Sequence, residues 1–282
     1  MNLGINTFLF RSPFANEDLG LFRRFKEWGF DTVEPAIEDP SLVDPHRLKD
    51  ALEESGIACN VICAAFGPGR DLRGSLSDQE STIDYVSQLI DMAKIVGAKV
   101  ICGPIYSAVG RSESYNAYEK KQHWDLVSKN LKIICSKAEE ANIAIAMEPL
   151  NRFETDFINT CQQGLEMIDS VGSQALNLHL DTFHMAIEER DSAAAIRKAG
   201  DRLAHFHASS SHRGIPGQDQ IDWHTVSTAL YTISYRGDVV IESFSQDVIS
   251  IARACCLWRN LGTSEEIARQ GLEFLRPLFS SN

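Results

Sequence analysis

The chain has 282 residues, of which 44% are hydrophobic and 23% are charged. This length suits one large α/β barrel or two average domains, and the hydrophobic fraction is sufficient for a substantial core. The formal net charge of −12 argues against nucleic acid or an anionic membrane as a partner, because both carry negative charge themselves.

The seven cysteines are odd in number and include no C-x-x-C pair. Most lie within apolar patterns, which is typical of reduced, buried thiols rather than of disulfides or a zinc-thiolate site. No run approaches the ~18 apolar residues that a membrane span needs. The start, MNLGINTFLF, lacks the basic region and cleavage signature of an export signal. We therefore expect a soluble, cytoplasmic protein.

Short apolar runs alternate with segments of helical periodicity along the whole chain. The runs, each predicted to form a buried strand, lie at 2–8, 32–37, 58–66, 99–105, 143–149, 176–181, 203–208 and 238–244. Between them, segments such as 78–98 and 124–142 repeat apolar residues at helical spacing. Eight strands, each followed by a helix, predict an α/β fold of the (β/α)₈ TIM barrel type.

No linker or shift of composition divides the chain, so residues 1–282 are predicted to form a single domain. The segment SEEIARQGLEFLRPLF predicts an extra C-terminal helix. Longer irregular stretches at 64–78, 104–120 and 208–223 follow strands, which places them on the face where barrel enzymes carry their chemistry. Within the first stretch, GPGRDLRG matches no phosphate-loop spacing and is interpreted as a mobile active-site loop. The acidic pair Glu188 and Glu189 is interpreted as a solvated helix start.

Four of the later strands end in an acidic or imidazole side chain: Glu148, Asp181, His207 and Glu242. The carboxyl ends of parallel barrel strands meet at one mouth, so these side chains predict a divalent metal site there. Strand side chains alternate between the two faces, so the histidines two positions earlier, at 179 and 205, are predicted to point into the barrel interior.

Three carboxylates and one imidazole form an oxygen-rich set that favours Mn²⁺, Mg²⁺ or Co²⁺ over a structural zinc. Such a site suits a hydroxy-ketone, whose enediolate it would stabilise after loss of a proton. Arg152, Glu154, His184 and Arg213 follow the same strand ends closely. They are therefore candidates to contact a molecule bound above the metal.

The segments MEPLNRFETDF, LDTFHMAIEE, HFHAS with HRGIPG, and VVIESF resemble the ketose 3-epimerases. This group comprises the D-tagatose, D-allulose (psicose) and L-ribulose 3-epimerases of the xylose-isomerase-like barrel superfamily. The resemblance extends over nearly the whole chain and includes GFDTVE and GPIYSAVGR. It implies that Glu148, Asp181, His207 and Glu242 are the metal ligands, with Mn²⁺ the usual metal, and that Glu148 and Glu242 are the catalytic pair.

The resemblance also implies that Glu154, His184 and Arg213 hold the O1–O3 end of a ketose, within a homodimer or homotetramer. Cys63, Gly103 and Phe244 are predicted to join them in binding substrate. Some relatives carry tryptophans over the far end of the sugar, where this chain reads NTFLFRSPF and IYSAVGRSES. The preferred sugar is therefore left open.

The expected activity is a metal-dependent inversion at C3 of a free ketose through a cis-enediolate, with two glutamates as acid and base. Candidate pairs are D-allulose/D-fructose, D-tagatose/D-sorbose and L-ribulose/L-xylulose. The sugar is expected to be unphosphorylated, because the loops offer arginines but no glycine-rich helix start of the phosphate-binding kind.

The alternatives that use the same metal site are an aldose–ketose or hydroxypyruvate isomerase and a keto-inositol dehydratase. A DNA-repair endonuclease of the same superfamily would need more histidines than the eight present and a basic groove, against a net charge of −12. A non-catalytic sugar-binding protein would not need both Glu148 and Glu242.

Overall fold

Parallel strands surrounded by helices make up the fold of residues 1–279, the part of the chain described by the computed structural model. The nine strands in this range are β1 (Asn2–Asn6), β2 (Thr32–Glu34), β3 (Ala36–Ile37), β4 (Val61–Ala64), β5 (Val100–Gly103), β6 (Ala144–Met147), β7 (Leu176–Asp181), β8 (Leu203–His207) and β9 (Asp238–Ile241). The α-helices described are α1 (Leu21–Trp28), α2 (Pro45–Ser55), α3 (Leu76–Val96), α4 (Ala117–Ala141), α5 (Cys161–Val171), α6 (Thr182–Glu188), α7 (Ser192–Ala199), α8 (Trp223–Thr232), α9 (Ile249–Ala254) and α10 (Ser264–Phe279).

The sheet order is β2-β1-β9-β8-β7-β6-β5-β4-β3, with every pairing parallel. The ninth strand arises because Pro35 splits the predicted run 32–37 in two. Proline has no backbone N–H to donate to the ladder, although its carbonyl still accepts from Cys63 N at 3.0 Å. Only Pro35 separates β2 from β3, so the two edges of the sheet are continuous in the chain. The predicted (β/α)₈ barrel is confirmed.

Helices cover the outside of the barrel, where Ile5, Ile62 and Ile145 are fully buried. Small side chains, among them Ala36, Cys102 and Ala146, form a separate inner cluster. The barrel is therefore a packed core with a narrow interior.

The helix predicted over 78–98 is α3, which Ser75 and Asp78 cap at its start through a reciprocal capping box. The helix predicted over 124–142 extends further back, to Ala117, in α4. Its first residues, AYEKKQH, are mostly exposed and therefore carry little apolar periodicity. The predicted C-terminal helix is α10, which packs against β1 and β9. None of the helices in residues 1–279 combines the length and apolar composition that a bilayer crossing requires.

The prediction that Glu188 and Glu189 begin a helix is wrong. Glu188 is the last residue of α6, and its carboxylate accepts two hydrogen bonds from the side chain of Arg152, at 2.9 and 3.0 Å. Glu189 accepts from Cys161 N at 2.7 Å. Both carboxylates therefore accept hydrogen bonds that join neighbouring segments, Glu188 from the loop after β6 and Glu189 from the start of α5.

Candidate active site

Four adjacent strands bring the predicted metal ligands together at the barrel mouth. Glu148 follows β6, Asp181 ends β7, His207 ends β8 and Glu242 follows β9. All four are buried, and each offers a ligand atom within 4.8 Å of those of the other three. The chain therefore contains a potential metal site built from the residues that the sequence singles out.

Backbone geometry fixes two of these positions. Glu148 N donates to Gly103 O at 3.0 Å, and Gly103 adopts a φ of 129°. A Cβ at this glycine would lie 2.6 Å from Ala64 O, so a larger residue would force β4 and β5 apart. Asp181 accepts from Phe183 N at 2.6 Å and so caps α6. The start of that helix holds its carboxylate at the mouth.

Arg213 lies among the carboxylates. Its Nη1 atom is 2.8 Å from both Asp181 Oδ2 and Glu242 Oε2. Its guanidinium carbon lies 4.1 Å from the ring centre of Phe183 and 4.8 Å from that of Phe244. Burial opposes ionisation of Asp181, but the positive charge of Arg213 holds the pKa of that carboxyl well below its usual range. Two predicted substrate contacts, Arg213 and Phe244, are therefore packed together beside the ligand set.

The donor set fits a divalent cation. His207 Nδ1 lies 3.4 Å from Glu242 Oε2 and 3.6 Å from Asp181 Oδ2. This nitrogen and Glu148 Oε1 are buried without a hydrogen-bond partner, which costs ~1–3 kcal/mol per group. Burial and the charge of Glu242 raise the pKa of Glu148 well above its usual value. A bound cation would favour the ionised form of Glu148. The three carboxylates and the Arg213 guanidinium would then sum to two negative charges, which a divalent cation would balance.

Glu34 is a buried carboxylate beside His207 that was not among the predicted site residues. Its Oε1 atom lies 2.8 Å from His207 Nε2 and accepts from Asn6 Nδ2 at 2.6 Å. Its Oε2 atom lies 2.5 Å from Nε2 of His205. Burial opposes the charge of Glu34, but the two histidines hold its pKa well below the usual range. A carboxylate on Nε2 leaves Nδ1 free to face a cation.

The signal for Glu34 is present in the sequence, because this residue also stands at the end of an apolar run, in DTVEP. What the sequence lacks is the register that places this run opposite His207. The histidines at 179 and 205 are fully buried, with ring centres 4.1 and 4.9 Å from that of His207, in the barrel interior as expected.

A cavity of about 220 Å³ opens above the ligand set. Five of the six predicted substrate contacts line it, namely Cys63, Glu154, His184, Arg213 and Phe244. The sixth, Gly103, immediately precedes Pro104, which is also a lining residue. The volume is small beside the ~300–1,000 Å³ of drug-sized pockets and suits a single small molecule.

His184 and Arg152 occupy different environments. His184 Nδ1 accepts from Asn151 N at 3.0 Å, and its Nε2 lies 3.7 Å from Glu148 Oε1. Burial, followed by the charge of Arg213, lowers its pKa, which favours the neutral ring. Arg152, in contrast, is exposed and paired with Glu188 outside the cavity. It is therefore not among the groups that face a bound molecule.

Comparison with known proteins agrees with this geometry. The family model described as xylose isomerase-like TIM barrel matches residues 22–278. The chain is 33% identical to a probable ketose 3-epimerase from Synechocystis sp., over 100% of this chain and 98% of that relative. It is 32% identical to the L-ribulose 3-epimerase from Methylomonas sp., over 89% of this chain and 88% of the relative. A crystal structure of D-allulose 3-epimerase from Methylomonas sp. matches with a TM-score of 0.91 at 28% identity, covering 99% of this chain and 98% of that one.

Proposed function

The chain belongs to the xylose isomerase-like TIM barrel family, and on that premise we propose that it inverts C3 of a free ketose with the help of a divalent cation. The observation that supports this most strongly is the convergence of Glu148, Asp181, His207 and Glu242 at the floor of a sugar-sized cavity. Its relatives include enzymes named ketose, L-ribulose and D-psicose 3-epimerases.

The proposed metal is Mn²⁺, with Mg²⁺ or Co²⁺ as substitutes, because three carboxylates favour a hard cation. When bound, the cation would attract the sugar's oxygens and stabilise the negative charge that develops on them. Glu148, Asp181 and Glu242 would supply oxygen ligands and His207 its Nδ1 atom. These four side chains would leave positions on the cation free for substrate oxygens.

Glu148 and Glu242 are the proposed acid and base. Glu148 follows β6 and Glu242 follows β9, with β7 and β8 between them in the sheet, so the two carboxylates approach the cavity floor from different sides. One carboxylate removes the proton from C3, and the other returns a proton to the opposite face of the planar carbon. Without a cation, burial raises the pKa of Glu148. A bound cation would favour its ionised form, which is the form that accepts a proton.

Glu154, His184 and Arg213 are proposed to hold the O1–O3 end of the sugar. All three line the cavity, and the guanidinium of Arg213 is held rigidly between Phe183 and Phe244. Rigid donors beside the reacting carbon lose little entropy when substrate binds. Cys63 and Phe244 would complete the walls.

Assembly and location are proposals that follow from the family resemblance. We propose a homodimer or homotetramer in the cytoplasm. Sedimentation equilibrium of the purified protein checks the first point, and a single monomeric species would contradict it.

The reaction is tested by the position of isotope exchange. The purified protein, loaded with Mn²⁺ in D₂O, is incubated with a panel of ketohexoses and ketopentoses and followed by NMR. We expect deuterium at C3 and accumulation of the C3 epimer. Deuterium at C1 or C2 would instead indicate an aldose–ketose isomerase, and an absorbing enone would indicate a dehydratase. Either result would contradict the proposal.

A further inference from the structure

The end of the cavity that faces away from the metal ligands contains a carboxylate. The residues lining the cavity include Phe8, Glu38 and Phe66. Glu38 directly follows β3, and β4, β5 and β6 lie between β3 and β7 in the sheet. Glu38 therefore lies across the barrel mouth from the end of β7, which carries Asp181. A ketose held at O1–O3 beside the metal ligands would extend its other end towards Glu38.

Only half of the Glu38 carboxylate is satisfied by the protein. Its Oε1 atom accepts from Ser12 Oγ at 2.9 Å, whereas its Oε2 atom is buried without a hydrogen-bond partner. Natural proteins seldom leave such an atom unpaired, because it has lost its hydration. Burial raises the pKa of Glu38, in agreement with this loss of water. Glu38 lines the cavity, so a turn of its carboxylate would bring this oxygen to a ligand that donates one hydrogen bond.

The residues around Glu38 disfavour a ligand with a negatively charged group at this position. Phe8, Phe66, Val109 and Ile251 contribute apolar wall to the same cavity. The nearby cation, Arg70, is directed elsewhere, because its guanidinium donates to the backbone oxygens of Glu38 and Ala65 at 2.6 and 2.8 Å and lies over the ring of Tyr85. A phosphate group here would meet a carboxylate and an apolar wall instead of a positive charge.

We propose that Glu38 determines specificity by accepting a hydrogen bond from the terminal hydroxyl of the ketose. The site then takes sugars with a free terminal hydroxyl and discriminates against terminal-deoxy and terminal-phosphate forms. This inference rests on the proposed function, because it uses the orientation that C3 chemistry at the metal ligands imposes. The neutral amide in Glu38→Gln would still accept a hydrogen bond, whereas Glu38→Ala would not.

The experiment compares three forms of one sugar: the ketose that the wild type turns over best, its terminal-deoxy analogue and its terminal phosphate ester. Each is measured by kcat/KM with the Mn²⁺-loaded wild type, Glu38→Ala, Glu38→Gln and Glu17→Gln. Glu17 is an exposed carboxylate in the loop after β1, so its substitution is a matched control for the lost charge. The ring and open-chain forms of each sugar in solution do not depend on the enzyme variant. A change, from one variant to another, in the ratio of kcat/KM for the hydroxyl sugar to kcat/KM for the deoxy sugar therefore reports the Glu38 contact.

We expect the wild type and Glu17→Gln to prefer the hydroxyl sugar over its deoxy analogue by roughly 10- to 150-fold, the range of a hydrogen bond to a charged group. Glu38→Ala should lose at least tenfold of that preference and gain relative activity on the phosphate ester, with Glu38→Gln between the two.

An unchanged ratio in Glu38→Ala, with C3 exchange intact, would overturn the role of Glu38 and leave the proposed function standing. If no ketose exchanged at C3, the proposed function would fail. Calorimetric binding of the same sugars would then test Glu38, and equal affinity of the wild type and Glu38→Ala for the hydroxyl form would overturn its role.

Discussion

In the proposed mechanism, Glu148 and Glu242 each bind the cation and each transfer a proton. General acid–base groups typically contribute ~10²–10⁴-fold to rate. We therefore expect Glu242→Gln to lower kcat for C3 inversion by about that factor, with a smaller effect on the apparent affinity for sugar. Turnover is measured by NMR and metal content by atomic absorption, with Glu17→Gln as the control. Glu242→Gln that bound metal and kept most of the wild-type rate would rule out the two-base scheme.

Glu34 would act on a cation bound at the proposed site through His207, whose Nε2 atom lies 2.8 Å from the Glu34 carboxylate. Carboxylates that orient a metal-binding histidine typically change metal affinity by ~10–100-fold, so Glu34→Gln should weaken Mn²⁺ binding by that amount. Titration calorimetry measures the affinity, and circular dichroism checks that the fold is kept. Glu38→Gln is the matched control, because this nearby glutamate follows β3 and bonds to Ser12 instead of His207. Equal Mn²⁺ affinity in Glu34→Gln and the wild type would show that Nδ1 of His207 needs no such support.

The contact between β4 and β5 helps to position Glu148, because Gly103 of β5 accepts a hydrogen bond from its backbone N–H. Gly103→Ala would combine a positive φ with a Cβ only 2.6 Å from Ala64 O. We expect this substitution to lower the free energy of unfolding by at least ~1–3 kcal/mol. It should also weaken Mn²⁺ binding, because the carbonyl of Gly103 accepts a hydrogen bond from the backbone N–H of Glu148. Urea unfolding and calorimetry measure the two effects.

Gly97→Ala separates backbone strain from the clash. Gly97 has a φ of 92°, but a Cβ there would meet nothing within 4 Å. Its cost should be confined to the strain of the left-handed conformation, ~1 kcal/mol, with Mn²⁺ affinity unchanged. If the two variants behaved alike, the close approach of β4 and β5 would be irrelevant to the position of Glu148.

Apolar runs and their polar endings are local properties of the chain, so the sequence was sufficient to predict the strands and the residues Glu148, Asp181, His207 and Glu242. The split at Pro35 was less visible, because one residue divides a run that is apolar on both sides. The start of α4 at Ala117 was not predicted, because its first turns are mostly exposed and show little apolar periodicity. Glu188 was misassigned because its partner, Arg152, lies on a different loop.

Closure of the barrel creates relationships that no local pattern contains. Glu34 reaches His207 because β2 and β8 meet across the interior, and Glu38 faces Asp181 because β3 and β7 are opposed. Such pairs depend on the register and stagger of the closed sheet. The four residues that converge at the barrel mouth could be predicted from the sequence, whereas Glu34, which contacts His207, and Glu38, in the cavity wall, needed the fold.

Removal of the metal should destabilise the whole molecule, because a ligand that binds only the folded state adds to its stability. At a free Mn²⁺ concentration of 100 Kd the gain is ~2.7 kcal/mol, which for a chain of 282 residues corresponds to a rise in Tm of ~5 °C. Differential scanning calorimetry of the chelator-treated protein, with and without Mn²⁺, measures this shift. His207→Ala should show little response. A wild type whose Tm did not depend on Mn²⁺ would argue against a specific site.

The proposed metal site is tested most directly by the anomalous scattering of Mn²⁺ in crystals of the metal-loaded protein. We predict one strong peak per chain at the barrel mouth, ~2.0–2.6 Å from oxygens of Glu148, Asp181 and Glu242 and from Nδ1 of His207. A peak bound elsewhere, or no peak within bonding distance of these four residues, would contradict the account.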